Sequence, residues 1–485
     1  MVNVNYHLCA LLTFRFLHDI FSLQIPVKIT KFRYSGGAVV NKVTIDFTKT
    51  LGLIKPVHGV NNGPITCNFW YDASAYFKEA HIPYCRLHDT EYPFGHGEYV
   101  DIACIFKDFD ADVDDPASYN FTETDDYLKA IQAVGAQVFY RLGASIEHQP
   151  IKRHIHPPKD FTKWAQICEH IIMHYNEGWA NGYHMNIEYW EIWNEPDLDQ
   201  VPPRTWTGTK EQFFEFYRTV SVHLKNRFPN LKIGGPALAF SAPDYMEDFL
   251  QYLSSFTPKL PLDFFSWHQY ATSIEWVLEL ADIVRKALDK YGYQDTESIF
   301  DEWNLIYEWF NDLNFSFQQL RSETGTSFCA GLLCALQHAP VDKAMYYDAS
   351  LTFEDEYNGL FTPGHVHTHS ILNDVIPLKP YYAFQAFGKL YELQTEAQLE
   401  IQGSEDLQGC AATNGKESAV LLANFHKDSA KKQEITFDWN GVDYKTVDIY
   451  LLDRDHNLTN ILSTSKLIES FVMTPNSVIL IVFHQ

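Results

Sequence analysis

Basic residues are in short supply. Lys and Arg together number 37 against 62 Asp and Glu, which leaves a formal net charge of −25 and a pI near 5.2. Nucleic acid and anionic membranes are recruited by basic patches, so this balance argues against both as partners. Cysteines are also few. The eight are Cys9, Cys67, Cys85, Cys104, Cys168, Cys329, Cys334 and Cys410, and none stand in a Cys-x-x-Cys pair. A zinc cluster or a disulfide framework is therefore not expected, and several of these residues sit in apolar stretches, as buried free thiols do. No apolar run is long enough to cross a bilayer. The longest near the start, Leu8–Ile25, is broken by Arg15, His18 and Asp19, and it lacks a basic leader and a small-residue cleavage site. Residues 1–38 read as an N-terminal extension, and the expected address is the cytoplasm. Internal repeats and low-complexity tracts are absent too.

What is present is a large core. With 485 residues, 46% of them hydrophobic, the chain exceeds one ordinary domain and suits a barrel plus a smaller module. From about Ile54, short apolar runs alternate with amphipathic stretches, the pattern of a parallel sheet with crossover helices. Candidate strands are Pro56–Val60, Tyr84–His88, Ala136–Leu142, Ile187–Trp193, Lys232–Gly235, Asp263–His268, Ser298–Phe300 and Lys343–Tyr347. Eight are what a (β/α)8 barrel requires, and residues 54–390 are assigned to it. Asp160 is placed to cap a helix whose apolar face is Phe161, Trp164, Ile167, Cys168, Ile171, Ile172 and Tyr175. Phe213, Phe214, Phe216, Tyr217, Val220 and Leu224 form a second such face. Trp276, Leu280, Ile283, Val284 and Leu288 form a third. Residues 391–485 alternate apolar and polar positions between Gly- and Asn-rich turns, which predicts an antiparallel β-sandwich. A strand within 39–53 is a candidate to join it.

Two motifs carry chemistry. In Trp190-Glu191-Ile192-Trp193-Asn194-Glu195-Pro196-Asp197, an apolar strand runs straight into Asn-Glu-Pro. In a barrel this puts Asn194 and Glu195 at the C-terminal end of the fourth strand, on the face where barrel sites are built. Pro196 forces a turn and is expected to keep Glu195 extended. In Ile299-Phe300-Asp301-Glu302-Trp303-Asn304, the seventh strand delivers Glu302 to the same face. Cleavage of a glycosidic bond needs such a pair. One carboxyl protonates the leaving oxygen, while the other meets the developing oxocarbenium ion.

These motifs resemble clan A of the glycoside hydrolases, and most closely family 39, known for β-xylosidases and related to α-L-iduronidases. Trp193–Pro196 matches its acid/base motif. Glu302-Trp303-Asn304 matches its nucleophile motif, with Asp301 in place of a Thr. Arg86-Leu87-His88 matches its second-strand pattern and His268-Gln269-Tyr270 its sixth-strand His-x-Tyr. Tyr357–Phe361 and Lys379–Phe384 are similar to its return towards a β-sandwich. The resemblance implies a retaining, exo-acting, β-xylosidase-like enzyme with Glu195 as acid/base and Glu302 as nucleophile. It implies sugar contacts from Arg86, His88, Asn194, His268, Tyr270 and Trp303. The chemistry calls for no cofactor and no metal, and the partner is a small saccharide or glycan. Two departures fall where the sugar would be read: Asp89, where the family often has Gly, and Tyr346-Tyr347-Asp348, where a Trp is expected.

The mechanism needs Glu195 protonated at rest, able to ionise once the nucleophile is glycosylated. Asn194 suits the sugar 2-OH, and Tyr270 is placed to donate to Glu302. Two other clusters are set aside. Asp108–Asp115 lacks the Gly and Glu of a calcium loop and reads as a solvated acidic loop. His365, His367 and His369 alternate without a partner carboxylate and read as a loop at the pocket rim. Alternatives at the same site are a galactoside, arabinopyranoside or iduronide glycone, or endo action. An alternative of another class is a barrel that binds glycans without turning them over. Oligomeric state is open, a homo-oligomer included.

Overall fold

The computed structural model describes residues 41–65, 71–90, 99–145, 153–198, 205–242, 244–309, 311–350, 359–363, 375–428 and 431–485. The chain enters through a long strand, β1 (Asn41–Leu53), and then builds the barrel. Its strands are β2 (Gly59–Asn61), β3 (Tyr84–Arg86), β4 (Gln137–Leu142), β5 (Tyr189–Ile192), β6 (Lys232–Leu238), β7 (Phe264–Ala271), β8 (Glu297–Leu305) and β9 (Lys343–Tyr346). All neighbours pair in parallel, and β9 closes on β2. Each of the eight lies on or beside a strand expected from the sequence.

Strand periodicity decides what fills the barrel. Tyr84, Phe139, Tyr189, Phe264, Ile299 and Met345 pack together as an apolar floor. Side chains two positions on share the same face. From β3, β4, β5, β7 and β8 those positions are Arg86, Arg141, Glu191, Ser266 and Asp301, all fully buried. A charged layer thus rests on an aromatic floor. One irregularity matters. The β7–β8 register runs Trp267 to Phe300 and then His268 to Glu302. The extra residue, Asp301, is a bulge that turns both Asp301 and Glu302 towards the interior.

The helices follow from their caps. Asp160 accepts hydrogen bonds from the Thr162 and Lys163 amides at 2.8 and 3.1 Å and starts the helix Phe161–Glu177, which ends at Gly178 with φ 78°. Thr209 and Gln212 form a capping box at the start of Lys210–Arg227. The third expected face needs correction. In Ile274–Lys290 the buried stripe is Ile274, Val277, Leu280, Ala281, Val284, Ala287 and Leu288. Trp276 and Ile283 each lie one step off that stripe and are exposed.

After the barrel come a short hairpin, β10 (Phe361–Pro363) and β11 (Val375–Pro377), and eight further strands. These are β12 (Thr395–Gln402), β13 (Leu407–Thr413), β14 (Glu417–Asn424), β15 (Gln433–Asn440), β16 (Thr446–Leu452), β17 (Thr459–Thr464), β18 (Ser470–Met473) and β19 (Ser477–His484). With β1 they form one sheet, ordered β17-β16-β19-β14-β13-β12-β1-β15-β18. It is antiparallel except that β1 pairs with β15 in parallel, so the sheet is mixed rather than purely antiparallel. It also curls over itself. Phe483 of β19 packs against Trp439 of β15 at 5.0 Å, although four strands separate them in the sheet.

Residues 40–485 form one compact unit. Cys410, Leu421 and Ala423 of the sheet share a core with Phe328, Leu332 and Phe384 from the helices Glu323–Leu336 and Tyr381–Leu393. Cys85, Cys104, Cys168, Cys329, Cys334 and Cys410 are buried free thiols. Among the described residues, no helix is long and apolar enough to cross a membrane. The segment 1–38, Cys67, Tyr357-Asn358, His365, His367 and His369 lie outside the described residues.

Candidate active site

The backbone past β5 is held in an uncommon shape. Trp193 and Glu195 have φ of 74° and 48°, both left-handed. The extended backbone expected from Pro196 is therefore not what forms. Hydrogen bonds on both sides of the residue override that preference. The Glu195 amide donates to the Ala237 carbonyl at 2.9 Å. The Glu195 carbonyl accepts from the Leu198 amide at 3.0 Å and from the Thr205 hydroxyl. Asp197, fully buried, receives the Ala239 and Ser241 amides at 3.0 and 2.9 Å and ties this turn to the loop after β6. The result is a nearly buried Glu195 carboxyl whose Oε1 lies 2.8 Å from His268 Nδ1.

Glu302 is held from two other strands. Tyr270 donates its hydroxyl to Oε1 at 2.6 Å, and Arg86 Nη1 reaches Oε2 at 3.1 Å. Arg86 is fully buried and spends its remaining donors on its neighbours. Nε lies 2.8 Å from Glu191 and 3.0 Å from Asp301, Nη1 bonds Asn61 at 3.0 Å, and Nη2 bonds Asn194 Oδ1 at 2.6 Å. Burial alone would lower the affinity of the guanidinium for its proton. Glu191, Asp301 and Glu302 more than reverse this and hold it above its ordinary value. His268 behaves alike: burial opposes its charge, but Glu302, Asp301 and Glu195 raise its pKa well above the usual histidine range.

The structure thus brings Arg86, Asn194, Glu195, His268, Tyr270 and Glu302 to one place. Nitrogen or oxygen atoms of Glu195, His268 and Glu302 all lie within 4.8 Å of one another. His88 is also fully buried and lies 3.6 Å from Asp89. The two departures from the family pattern touch each other. The Tyr347 hydroxyl bonds Asp89 Oδ2 at 3.1 Å, and Asp348 accepts from Asn62 at 2.9 Å. Asp89 has φ 51°, a conformation that favours Gly and that Asp tolerates better than most residues.

Trp303 requires correction as a sugar-stacking wall. The bulge at Asp301 flips it outward, where it is fully buried against Phe328, Tyr346 and Phe384. The exposed aromatic beside the site is Trp309, 40% exposed, with its ring 5.0 Å from that of Tyr270. Sequence reading missed it because it lies in a loop with no periodic signal. The acidic loop 108–115 is built of local turns, Asp108 to the Asp110 amide and Asp112 to the Asp114 amide, with Lys159 paired to Asp110.

A parallel eight-stranded barrel with two buried carboxyls at the ends of its fourth and seventh strands defines the barrel class of glycoside hydrolases. Within that class the match is specific: residues 41–452 fit "Glycosyl hydrolases family 39", and the chain belongs to that family. It is similar to a beta-xylosidase of Caldicellulosiruptor saccharolyticus, 24% identical over 346 residues, 64% of this chain and 64% of that one. It is also similar to a beta-xylosidase of Geobacillus stearothermophilus, 27% identical over 214 residues, 42% of this chain and 39% of that one. In each case the chain spans less than two thirds of the relative's length. A glucosidase structure from Croceicoccus marinus shares the fold, with a TM-score of 0.72, 21% identity, and coverage of 93% of this chain and 100% of that one.

Proposed function

We propose that the chain is a retaining glycoside hydrolase acting by double displacement, exo-acting and β-xylosidase-like, with Glu195 as acid/base and Glu302 as nucleophile. The separation of the two carboxyls carries this reading. One oxygen of each carboxyl lies within 4.8 Å of one of the other's, an approach that suits the roughly 5–5.5 Å between the groups of retaining enzymes better than the roughly 6.5–9.5 Å that admits a water. Arg86 and Tyr270 each hydrogen-bond one oxygen of Glu302 and so fix its aim, as a nucleophile requires. His268 bonds Glu195 Oε1 and so orients the carboxyl that is to protonate the leaving group. Asn194, fixed by Arg86 through its Oδ1, has its amide nitrogen as the donor suited to the sugar 2-OH.

A neutral glycone fits better than a uronide. Asp89, Asp348 and Glu302 all act on Tyr347, and Arg86 is already committed to carboxylates of the protein. Arg141, the other cation of the charged barrel layer, is paired with Asp101 at 2.7 Å. Among the described residues the acidic surround disfavours a substrate carboxylate. The β-xylosidase relatives support xylose over larger sugars.

A panel of nitrophenyl glycosides with proton NMR of the first product anomer tests the reading. Retention is expected, with the xyloside turned over best. Glu302→Gln is expected to be folded and inactive. Glu195→Gln is expected to lose about 10²–10⁴-fold on substrates with poor leaving groups. On activated ones azide should restore turnover. Net inversion, or wild-type activity in Glu302→Gln, would overturn the assignment.

A further inference from the structure

Around the catalytic pair, among the described residues, the carboxyl groups outnumber the cations that touch them. Glu191, Glu195, Asp301 and Glu302 are all buried, and the positive groups in contact with them are Arg86 and His268. A buried carboxylate oxygen without a donor is costly. Glu191 Oε1 and both Asp301 oxygens nevertheless have no well-formed hydrogen bond to a donor, although Arg86 Nε is 3.0 Å from Asp301 Oδ2. The two carboxyls flank that one Nε–H from opposite strands, β5 and β8. On its other side Asp301 meets the catalytic machinery: its Oδ1 is 3.4 Å from His268 Nε2, and His268 Nδ1 is 2.8 Å from Glu195.

We propose that Glu191 and Asp301 share one proton held mainly on Glu191, and that the negative charge left on Asp301 keeps His268 an imidazolium donating to Glu195. Both are positioning residues: neither reaches the reacting atoms, and they act through His268. The charges then close. With protons on Glu191 and Glu195, the ions Asp301⁻, Glu302⁻, Arg86⁺ and His268⁺ sum to zero, which is what a water-poor site requires. The groups facing the pair are Arg86 from β3, Ser266 and His268 from β7, Glu302 from β8 and Glu195 from the turn after β5. Arg141 of β4 stands beside Glu191 in the same layer, its charge matched by Asp101 at 2.7 Å. Burial drives Glu191 well above the usual carboxyl range, with Arg86 opposing and Asp301 reinforcing. For Asp301 burial pushes upward, but Arg86, Glu191 and His268 bring it down to about 2. The same resemblance that aligns Glu302 with the family nucleophile puts a Thr where this chain has Asp301.

The inference rests on Glu195 being the acid/base, and the test separates the two. The pH dependence of kcat/KM is measured for wild type, Asp301→Asn and Glu191→Gln. Each is assayed on an aryl xyloside with a poor leaving group and on a dinitrophenyl xyloside that departs without a proton. A proton leaves more readily from a cluster that has lost a negative charge. Asp301→Asn should therefore move the basic limb to lower pH by about one unit, and only with the poor leaving group. Glu191→Gln replaces a group already neutral and should leave that limb in place. A limb that stays put in Asp301→Asn, or moves equally with both substrates, overturns the proposal. So does Glu191→Gln shifting as far as Asp301→Asn. If Asp301→Asn does not fold, a one-unit shift in Glu191→Gln overturns it alone, and an unmoved limb there is the expected result. Failure of Glu195 as acid/base would show separately, as Glu195→Gln without azide rescue.

Discussion

Single side chains in this protein are read best through what burial does to them. His58 is fully buried between the rings of Phe387 and Tyr391, with Nε2 bonded to the His81 carbonyl at 3.0 Å. Burial pushes its pKa from 6.5 down to about 3. The folded state keeps the ring neutral, while the unfolded chain takes up a proton below 6.5. This contribution is therefore fully present above pH 6.5 and is lost as pH falls towards 3, by at most about 1.4 kcal/mol per pH unit. His58→Gln should flatten that loss, read as a smaller drop in urea midpoint between about pH 7 and about pH 5. An equal drop in both proteins would show that other groups govern acid stability. At this scale the sequence was partly legible. Asn-Glu-Pro marked Glu195 because a strand led into it. The link between Glu191 and Asp301 was not, since it depends on which residues of distant strands turn inward at one level.

At the scale of elements, β8 shows both the strength and the limit of reading by period. Its apolar start and its Glu at the C-terminal end are visible in Ile299–Glu302. The bulge is not, because one inserted residue leaves no compositional mark, yet it reverses the facing of everything after it. Trp303 consequently packs on helices, and Trp309 takes the exposed place beside Tyr270. Trp309→Ala is expected to raise KM for an aryl xyloside about fivefold with kcat little changed, the loss of one aromatic contact of about 1 kcal/mol. Trp303→Ala should instead lower stability. If Trp309→Ala left KM untouched, its ring would have no part in binding. In the second sheet, Leu407–Thr413 carries no alternating signal, because Gly409, Cys410 and the two alanines do not alternate. Thr459–Thr464 carries little, because it is an edge strand, mostly exposed.

For the whole molecule, the charge of −25 and the shared core are the governing facts. Phe483 is fully buried against Phe47, Trp439 and Tyr444 in the curled sheet, far along the chain from Glu195 and Glu302. Phe483→Ala should cost about 3–5 kcal/mol. Because sheet and barrel helices share one core, activity and far-UV signal should be lost at the same denaturant concentration. Activity surviving beyond the loss of the sheet would show two independent folding units. The pairing of β1 with β12 has a different consequence. Leu53 sits opposite Thr395, and the Ile54 amide bonds the Gln394 carbonyl at 2.8 Å, so the barrel leaves and re-enters the sheet at one spot. The barrel is in effect a long excursion between two adjacent strands. A chimera with a relative's barrel therefore needs two crossovers, near 54 and 394, and these lie side by side. A single crossover anywhere between them would mate β1 of one parent with β12 of the other.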